Sequence, residues 1–309
     1  MMNIIDTNAR ATIQDLGRFG FRSQGIGHAG AMDGLALQTG NLLLGNPANT
    51  AAVEIPLGSL TLFFEQDTPF CITGAFYEAY LDEEPIYSYW RYTAKAGQIV
   101  RLVRARIGMY GYLCVQGGFS ITPVLGSCST DIRAQFGGFE GRCLRQGDCI
   151  PTAGNGKTMS VIGIAPIPLR NTLYAVPSSE YQFFNRRAQF RLRQNRWLLQ
   201  SNSDRMGYRF NGEPLELKKP LEMLSHAIQF GTIQVPPDGQ PIILMADAQT
   251  TGGYPKIACI VAADLGRLSQ IRLGSRVQFR LITMEQAQLL YKQNLTYLNQ
   301  IQRIAHVTS

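Results

Sequence analysis

The sequence is poor in the residues that usually build metal sites and covalent active sites. It contains only three histidines, scattered along the chain, and none of its six cysteines belongs to a C-x-x-C pair. Zinc sites need clustered Cys and His ligands, so we predict no metal centre in this chain. The G-x-S-x-G turn of many hydrolases is also missing, and no histidine lies near Ser127, Cys128 or Ser129 in the sequence. We therefore predict no covalent hydrolase.

Long apolar runs are absent as well. No stretch approaches the roughly 18 apolar residues that a membrane-spanning helix requires. The first residues, Met1 to Arg10, include Asp6 and lack the apolar centre of a signal peptide. We therefore expect a protein of the reducing cytosol that makes no contact with a membrane.

Lysine is scarce, since the 29 basic residues are 23 arginines and only 6 lysines, and the formal net charge is +7. Guanidinium groups suit paired hydrogen bonds to carboxylate or phosphate, so we expect a small anionic substrate or an acidic partner and no nucleic acid. We interpret the densest basic stretch as the solvated face of a strand; it comprises Arg186, Arg187, Arg191, Arg193 and Arg196.

The length of the chain and the spacing of its glycines and prolines predict two domains that are mainly β. A chain of 309 residues suits roughly two domains of about 150 residues. We place the boundary after 165, giving domains 1–165 and 166–309, because the Pro166–Pro168 pair precedes a new series of strand-like runs. The glycines and prolines separate short apolar or alternating runs of strand length: Ser59–Phe64, Phe70–Ile72, Ile99–Val103, Met109–Val115, Met159–Ile164, Ile242–Met245 and Arg276–Ile282.

Only two segments carry a convincing helical pattern. In Asp33–Leu44 the apolar residues share one helical face, and in Met284–Gln300 apolar residues repeat after Thr283, which can cap the helix. The class is therefore mainly β with a few helices.

One motif resembles a nucleotide-binding loop. Gly156-Lys157-Thr158 matches the end of a P-loop, but the first glycine of that motif would stand at Pro151. The strand-like run that follows also replaces the helix whose N-terminus holds the phosphates. We interpret the segment as a turn.

Three polar, glycine-rich segments stand out as candidate sites. Glycine permits close approach of the backbone, and the interleaved polar residues supply binding groups, although ordinary turns with satisfied side chains have the same composition. The candidates are Gln14, Asp15, Arg18 and Asp33 in the first segment; Asp131, Arg133 and Arg142 in the second; and Asp204, Arg205, Asp247, Gln249, Thr250, Thr251 and Tyr254 in the third.

The motifs in these segments carry a family resemblance. They read QDLGR, GAMD, N-x-L-x-GN, GS-x-STD-x-R, GGFEGR, SDRMG, IQVPP and D-x-QTTGGYP, in this order. Together they resemble the biotin-dependent carboxyltransferase family, also called allophanate hydrolase subunit 2, over nearly the whole chain. The sequence departs from the family at Pro177-Ser178-Ser179, where many members have Pro-Gly-Pro.

The resemblance implies a fold, partners and a reaction. The fold would be two tandem cyclophilin-like β-barrel domains. The reaction would be that of an ATP-dependent 5-oxoprolinase, in which A and B subunits act with a chain of this family to cleave 5-oxo-L-proline to L-glutamate. ATP with Mg²⁺ would be required, bound in part or mainly by a partner subunit.

Two further functions are compatible with the same family. One is the carboxyltransferase part of a biotin-dependent urea or amide carboxylase, although no Met-Lys-Met tripeptide marks a biotinylated lysine here, so biotin would come from another chain. The other is a KipA-like regulator that binds an inhibitor of a kinase.

Lactam hydrolysis requires cationic donors for the anions and a carboxylate that orients water or Mg²⁺. We expect Asp131 and Asp247 to be catalytic. The expected substrate-binding residues are Arg133, Arg142, Gln249, Thr250, Thr251 and Tyr254, and Gln14, Asp15, Arg18, Asp33, Asp204 and Arg205 are further candidates. The alternative for the acidic residues is a structural role in ion pairs that fix loops.

Overall fold

The computed structural model describes the chain apart from positions 155, 157, 222, 308 and 309 and the side chain of 307. The segment Gly156-Lys157-Thr158 therefore lies partly outside the described residues. The chain divides into unit 1 (Met1–Arg18, Ala29–Pro168, Leu295–Ser309) and unit 2 (Phe19–His28, Leu169–Asn294). The boundary after 165 stays a prediction, because compactness does not show which segments fold independently.

A ten-stranded sheet forms the framework of unit 1. Its main path has the strand order β10-β7-β5-β8-β4-β1-β9, while β3 joins β2 to β8 and β6 pairs with β5. The strands are β1 (Met2–Thr7), β2 (Thr12–Gln14), β3 (Ala52–Pro56), β4 (Leu60–Phe64), β5 (Thr68–Leu81), β6 (Glu84–Ile86), β7 (Trp90–Ala94), β8 (Ile99–Val115), β9 (Cys149–Ile150) and β10 (Ile162–Gly163).

The longest strand, β8, joins two runs that the sequence suggests are separate strands. Its middle is charged, but Arg104 and Arg106 both pair with Glu78 on the neighbouring strand β5, at 3.0 and 2.6 Å. The backbone therefore continues extended across the charged stretch. The apolar residues of β5 and β8 lie in the core of unit 1.

Helix α1 (Gly34–Leu43) packs against β5 and β8. Asp33 caps it, since its carboxylate accepts a hydrogen bond from the Ala36 amide at 3.0 Å. Gly40 allows the close approach, because a Cβ there would lie 2.6 Å from the Cys114 sulfur. The helix predicted over Asp33–Leu44 is thus confirmed with nearly the same bounds.

Unit 2 is built around a closed seven-stranded barrel of order β11-β18-β15-β16-β13-β12-β19. A separate two-stranded ribbon pairs β14 with β17. The strands are β11 (Thr172–Pro177), β12 (Trp197–Leu199), β13 (Gly207–Asn211), β14 (His226–Ala227), β15 (Thr232–Gln234), β16 (Ile242–Leu244), β17 (Thr251–Gly252), β18 (Lys256–Ile260) and β19 (Arg276–Leu281).

The remaining helices are α2 (Arg186–Gln194), α3 (Leu265–Ser269) and α4 (Met284–Val307), with short 3₁₀ turns at Arg22–Gln24, Tyr181–Phe183 and Ala262–Asp264. The predicted cap of α4 is present: the Gln286 amide donates to the Thr283 hydroxyl, and the Thr283 amide donates to the Gln286 side chain. The mainly β class with a few helices is confirmed. Within the described residues, no helix combines the length and apolar character needed to cross a membrane.

The interpretation of the basic stretch as a strand is wrong. Residues from Arg186 to Gln194 form α2, in which Ala188 and Leu192, four residues apart, are buried. Asn185 caps the helix by accepting from the Ala188 amide at 2.7 Å. Arginine is a good helix former, and a single buried stripe is enough to fix so short a helix against the barrel strand β19. The solvent exposure was predicted correctly, since most of the arginines face water.

We expect Asn185→Ala to reduce stability by about 1 kcal/mol, because the first turn of α2 would lose its side-chain acceptor. A lower melting temperature measures this loss. Asn185→Ser is the matched control: it keeps an acceptor at the cap and gives up only the exposed bond from Asn185 to Glu216. If the alanine and serine variants melted at the same temperature, the cap would contribute nothing.

Candidate functional site

The Asp15 carboxylate fixes the second glycine-rich segment of unit 1. One of its oxygens accepts hydrogen bonds from the Gly17 amide at 2.8 Å and from the hydroxyls of Ser127 and Ser129 at 2.6 Å each. The other accepts from the Cys128 amide at 2.6 Å. Asp15 is buried, and these bonds replace the water that its charge would otherwise need. Asp15 therefore connects its own loop to the loop of residues 127–129 through hydrogen bonds.

Arg18 enters the same loop from below the surface and is almost fully buried. Its guanidinium donates to the carbonyl oxygens of Val124, at 3.2 Å, and Ser129, and it lies over the Phe136 ring at 4.4 Å from the centroid. Gly137, with a positive φ, makes room for it, because a Cβ there would overlap the guanidinium and the Ser129 carbonyl. Arg18 thus shapes this loop from inside.

Gln14 is also buried, and its amide nitrogen donates to Thr12 at 3.0 Å and to the Thr130 carbonyl at 3.2 Å. Among the described residues, its amide oxygen has no hydrogen-bond partner.

The Cys128 thiol in the same loop is not an activated nucleophile. Burial and the charge of Asp15 raise the pKa of the thiol, and the opposing effect of Arg18 is smaller.

Asp131 and Arg133 lie where the same loop turns towards solvent. One carboxylate oxygen of Asp131 accepts from the amides of Arg133 at 3.1 Å and Ala134 at 3.0 Å, so the side chain closes a turn. The Arg133 side chain is exposed. This contact type is the loop-fixing alternative for Asp131, and its catalytic role stays a prediction.

Arg142 is engaged by acids of its own loop. It forms a fork with both oxygens of Asp148 at 2.8 Å and also bonds Glu140 at 2.9 Å and the Cys143 carbonyl at 3.0 Å. The paired acids raise the pKa of the guanidinium. Burial raises the pKa of Asp148, but the bonds from Arg142 and the Arg145 amide lower it by more. The guanidinium nitrogens of Arg142 already donate to Glu140, Cys143 and Asp148, so its substrate-binding role also stays a prediction.

Asp33 belongs to a second buried polar network in unit 1. Its amide donates to the Tyr112 hydroxyl at 2.7 Å, and that hydroxyl donates to Glu54 at 2.7 Å. Glu54 also accepts from the Met32 amide at 2.8 Å. Burial and the charges of Glu54 and Asp33 raise the pKa of Tyr112. Sequence reasoning missed Tyr112, because it stands within the apolar part of β8, where nothing marks a polar partner.

In unit 2 the third glycine-rich segment is fixed by a bidentate ion pair between Arg205 and Asp247. Arg205 donates to both carboxylate oxygens of Asp247, at 2.8 Å each, and the Asp247 amide donates back to the Arg205 carbonyl at 2.8 Å. The side chains are 16% and 12% exposed. Asp204, one residue earlier, accepts from the Met206 and Gly207 amides and closes the turn before β13. The structure thus brings together three of the predicted residues, as a loop anchor.

The predicted neutral donors are spread along the ribbon that follows. Gln249 is exposed, Thr250 uses its carbonyl to accept from the Ile228 amide at 3.2 Å, and Thr251 begins β17. Gly252 packs closely on the Gln234 side chain, since a Cβ there would lie 2.7 Å from the Gln234 amide nitrogen. Gln234 is buried and was missed as a candidate, although it stands in the IQVPP motif.

Residues of two family motifs, IQVPP and D-x-QTTGGYP, line a cavity of about 600 Å³ in unit 2. The Tyr254 side chain, 47% exposed, lines it, and Pro236 and Pro237 lie on the same cavity. The Val235 amide donates to the Pro255 carbonyl at 2.9 Å and so holds the two motifs side by side. The wall is mostly apolar, which suits the ring of a small molecule better than a phosphate chain.

Carboxylates that could share a metal ion are not gathered in one place. In the described part of the chain, no three His, Cys, Asp or Glu side chains lie close enough to hold one. The acids predicted for that task, Asp131 and Asp247, instead accept from backbone amides or from Arg205. The requirement for ATP with Mg²⁺ therefore stays a prediction.

The pair between Asp148 and Arg142 should make stability depend on acid pH. Pairing lowers the folded pKa of Asp148 below its ordinary value of 3.8, so its contribution is present above that value and is lost as pH falls through the folded pKa. We expect Asp148→Asn to melt well below the wild type at pH 7, and the difference to shrink below about pH 4. A constant difference from pH 7 to pH 2 would contradict this role.

A double-mutant cycle tests the fork of unit 2. We expect Asp247→Asn and Arg205→Gln each to lower the free energy of unfolding by about 1–3 kcal/mol, because each leaves its partner without a charged hydrogen bond. The double variant should be less destabilised than the sum, with a coupling of at least about 0.5 kcal/mol. Strict additivity would show that the two side chains do not stabilise each other.

Comparison with known proteins agrees with these motifs. A family model described as carboxyltransferase domain, subdomain A and B, matches residues 24–281. The chain is 63% identical to the C subunit of 5-oxoprolinase from Haemophilus influenzae, with 98% of each chain covered. It is 45% identical to the C subunit from Escherichia coli, with 97% of each chain covered.

The fold is similar to that of a larger enzyme. The crystal structure of Kluyveromyces lactis urea carboxylase superposes with a TM-score of 0.90 at 22% identity, covering 97% of this chain and 29% of the other. At that identity the match shows the fold alone. The family resemblance predicted from the motifs is confirmed, and the chain belongs to the carboxyltransferase domain family, subdomains A and B.

Proposed function

We propose that the chain is the C subunit of an ATP-dependent 5-oxoprolinase and acts with A and B subunits to convert 5-oxo-L-proline to L-glutamate. The observation that carries the proposal is the end-to-end identity with the Haemophilus influenzae C subunit, which leaves no domain of either chain unmatched. The designation of that relative as a subunit implies a complex, so we expect this chain to function only in one.

The chemistry divides naturally between subunits. The amide of a five-membered lactam is stabilised by resonance, so its hydrolysis at neutral pH needs activation of the carbonyl oxygen, which coupling to ATP supplies. Asp131 and Asp247 accept hydrogen bonds from backbone amides and from Arg205, so neither is set apart as a ligand for Mg²⁺. We therefore assign nucleotide binding mainly to a partner subunit and substrate binding to this chain.

The contacts of Asp247 support a structural role over a catalytic one. Both oxygens already accept charged hydrogen bonds from Arg205, and these hold the carboxylate in place within its loop. We therefore expect Asp247→Asn to leave turnover of the assembled complex within a few-fold of wild type. A general base would contribute about 10²–10⁴-fold, so a stable Asp247→Asn variant that has lost that much turnover would restore the catalytic assignment.

Carboxyl transfer is the second candidate function, and it is favoured by the matched family model. It would require a biotinylated partner, because no lysine of this chain has the surroundings of a biotin-attachment site. Identity of only 22% to the urea carboxylase makes it the weaker proposal.

Reconstitution tests the proposed function. We expect the purified chain alone to show no ATP hydrolysis dependent on 5-oxo-L-proline, and the mixture with its A and B partners to release glutamate, ADP and phosphate. The control is the mixture of A and B without this chain, which should be inactive. Glutamate production by this chain alone, or by A and B without it, would contradict the proposal. Activity with urea, bicarbonate and a biotinylated partner instead would favour carboxyl transfer.

A further inference from the structure

A cavity of about 370 Å³ in unit 2 lies among residues that have no role in the sites above. Its volume falls within the range of about 300–1,000 Å³ that is usual for small-molecule sites. Residues from four parts of unit 2 line it: the turn at Arg22, the segment after β11, the stretch from β14 to β15, and β18. The polar members are Arg22, Ser178, Ser179, Gln229, Thr232, Lys256 and Cys259.

The Arg22 guanidinium is the cationic group of this cavity that lacks a carboxylate partner among the described residues. Arg22 is half-buried, and one of its terminal nitrogens donates to the carbonyl oxygens of Ile228 and, at 3.4 Å, Thr250. These contacts fix the direction of the side chain without neutralising its charge. Among the described residues, no carboxylate pairs with Arg22, which sets it apart from Arg142 and Arg205. A half-buried cation without a counter-ion favours binding of an anion.

Lys256, the other cation of the wall, is already neutralised. Its ammonium lies 3.5 Å from one oxygen of Glu180, whose other oxygen accepts from the Lys256 amide at 2.9 Å. The hydroxyl of Ser179 donates to the same carboxylate at 2.6 Å. Glu180 is therefore occupied by β18 and its own loop, and the net charge presented to the cavity is that of Arg22.

The rest of the wall is neutral. Burial raises the pKa of the Cys259 thiol, so the sulfur carries no charge at neutral pH. Gln229 donates weakly to that sulfur, at 3.6 Å, and its backbone amide donates to the Thr232 hydroxyl at 3.2 Å. Ala227, Ile228 and Ala258 add apolar surface. A neutral, partly apolar wall beside a single guanidinium suits a small ring that carries one carboxylate.

We propose that this cavity binds the carboxylate of a small substrate, with Arg22 as its anchor. The identity of the substrate as 5-oxo-L-proline rests on the proposed function, whereas the anion site rests on the geometry of unit 2. A guanidinium binds a carboxylate through paired, charge-assisted hydrogen bonds. The neutral wall then accommodates the lactam ring.

Binding to the full-length chain tests this site, with 5-oxo-L-proline and the uncharged lactam 2-pyrrolidinone as probes in titration calorimetry. We expect Arg22→Gln to weaken binding of 5-oxo-L-proline by about 10- to 100-fold, because a charge-assisted bond is lost. Binding of 2-pyrrolidinone should be weaker in the wild type and unchanged in the variant. The matched control is Arg187→Gln, which removes an exposed arginine of α2 and should change neither affinity.

A second variant keeps the test valid if Arg22→Gln fails to fold. Gln229→Glu preserves shape and adds a negative charge to the cavity wall, so it should weaken binding of 5-oxo-L-proline at least about fivefold by repulsion and spare the neutral lactam. Melting temperatures report whether each variant is folded. The same two variants in the reconstituted complex should raise KM for 5-oxo-L-proline more than they lower kcat.

The outcomes separate the site from the function. If folded Arg22→Gln and Gln229→Glu both bind 5-oxo-L-proline like the wild type, the site is overturned even when the complex is active. The site is also overturned if neither the chain nor its complex binds 5-oxo-L-proline. If the complex is inactive but Arg22-dependent binding persists, the site stands and the proposed function fails. Arg22-dependent binding of inorganic phosphate without binding of 5-oxo-L-proline would overturn the assignment to a carboxylate.

Discussion

A buried carboxylate must have its oxygens hydrogen-bonded, and this constraint organises the polar loops of both units. Asp15 meets it with backbone amides and serine hydroxyls, Asp148 with Arg142, and Asp247 with Arg205. Each acid thereby fixes a glycine-rich loop. Most of the motifs that mark the family contain one of the two partners in these hydrogen bonds.

The same constraint explains which groups remain available to a ligand. Arg142 and Arg205 already donate to Asp148 and Asp247, so most of their hydrogen-bonding capacity is used within the protein. Arg22 is held instead by carbonyl oxygens, so its charge is not cancelled within the described part of unit 2. We therefore propose that ligands bind in the two cavities of unit 2, while the catalytic roles of Asp131 and Asp247 stay predictions.

The sequence predicted those parts of the fold that depend on local chemistry. The Thr283 cap, α1 and most strand-length runs were found because capping and periodicity involve residues close in sequence. Helix α2 was missed because only two of its residues, Ala188 and Leu192, are buried, which is too few to give a clear helical pattern in the sequence. The fork between Arg205 and Asp247 joins residues 42 positions apart, and no local pattern specifies it. Arg22 was missed for the same reason, since only the folded barrel places it beside β14 and β18.

We propose that the acids of the motifs fix loops and that Arg22, which lacks a carboxylate partner, binds the substrate. A crystal structure of the reconstituted complex with 5-oxo-L-proline is the direct test of this division of roles. We expect the substrate carboxylate on Arg22, with Asp247 still bonded to Arg205 and Asp131 still closing its turn. A substrate bound to Asp131 or Asp247, with Arg205 released and the Arg22 cavity empty, would contradict it.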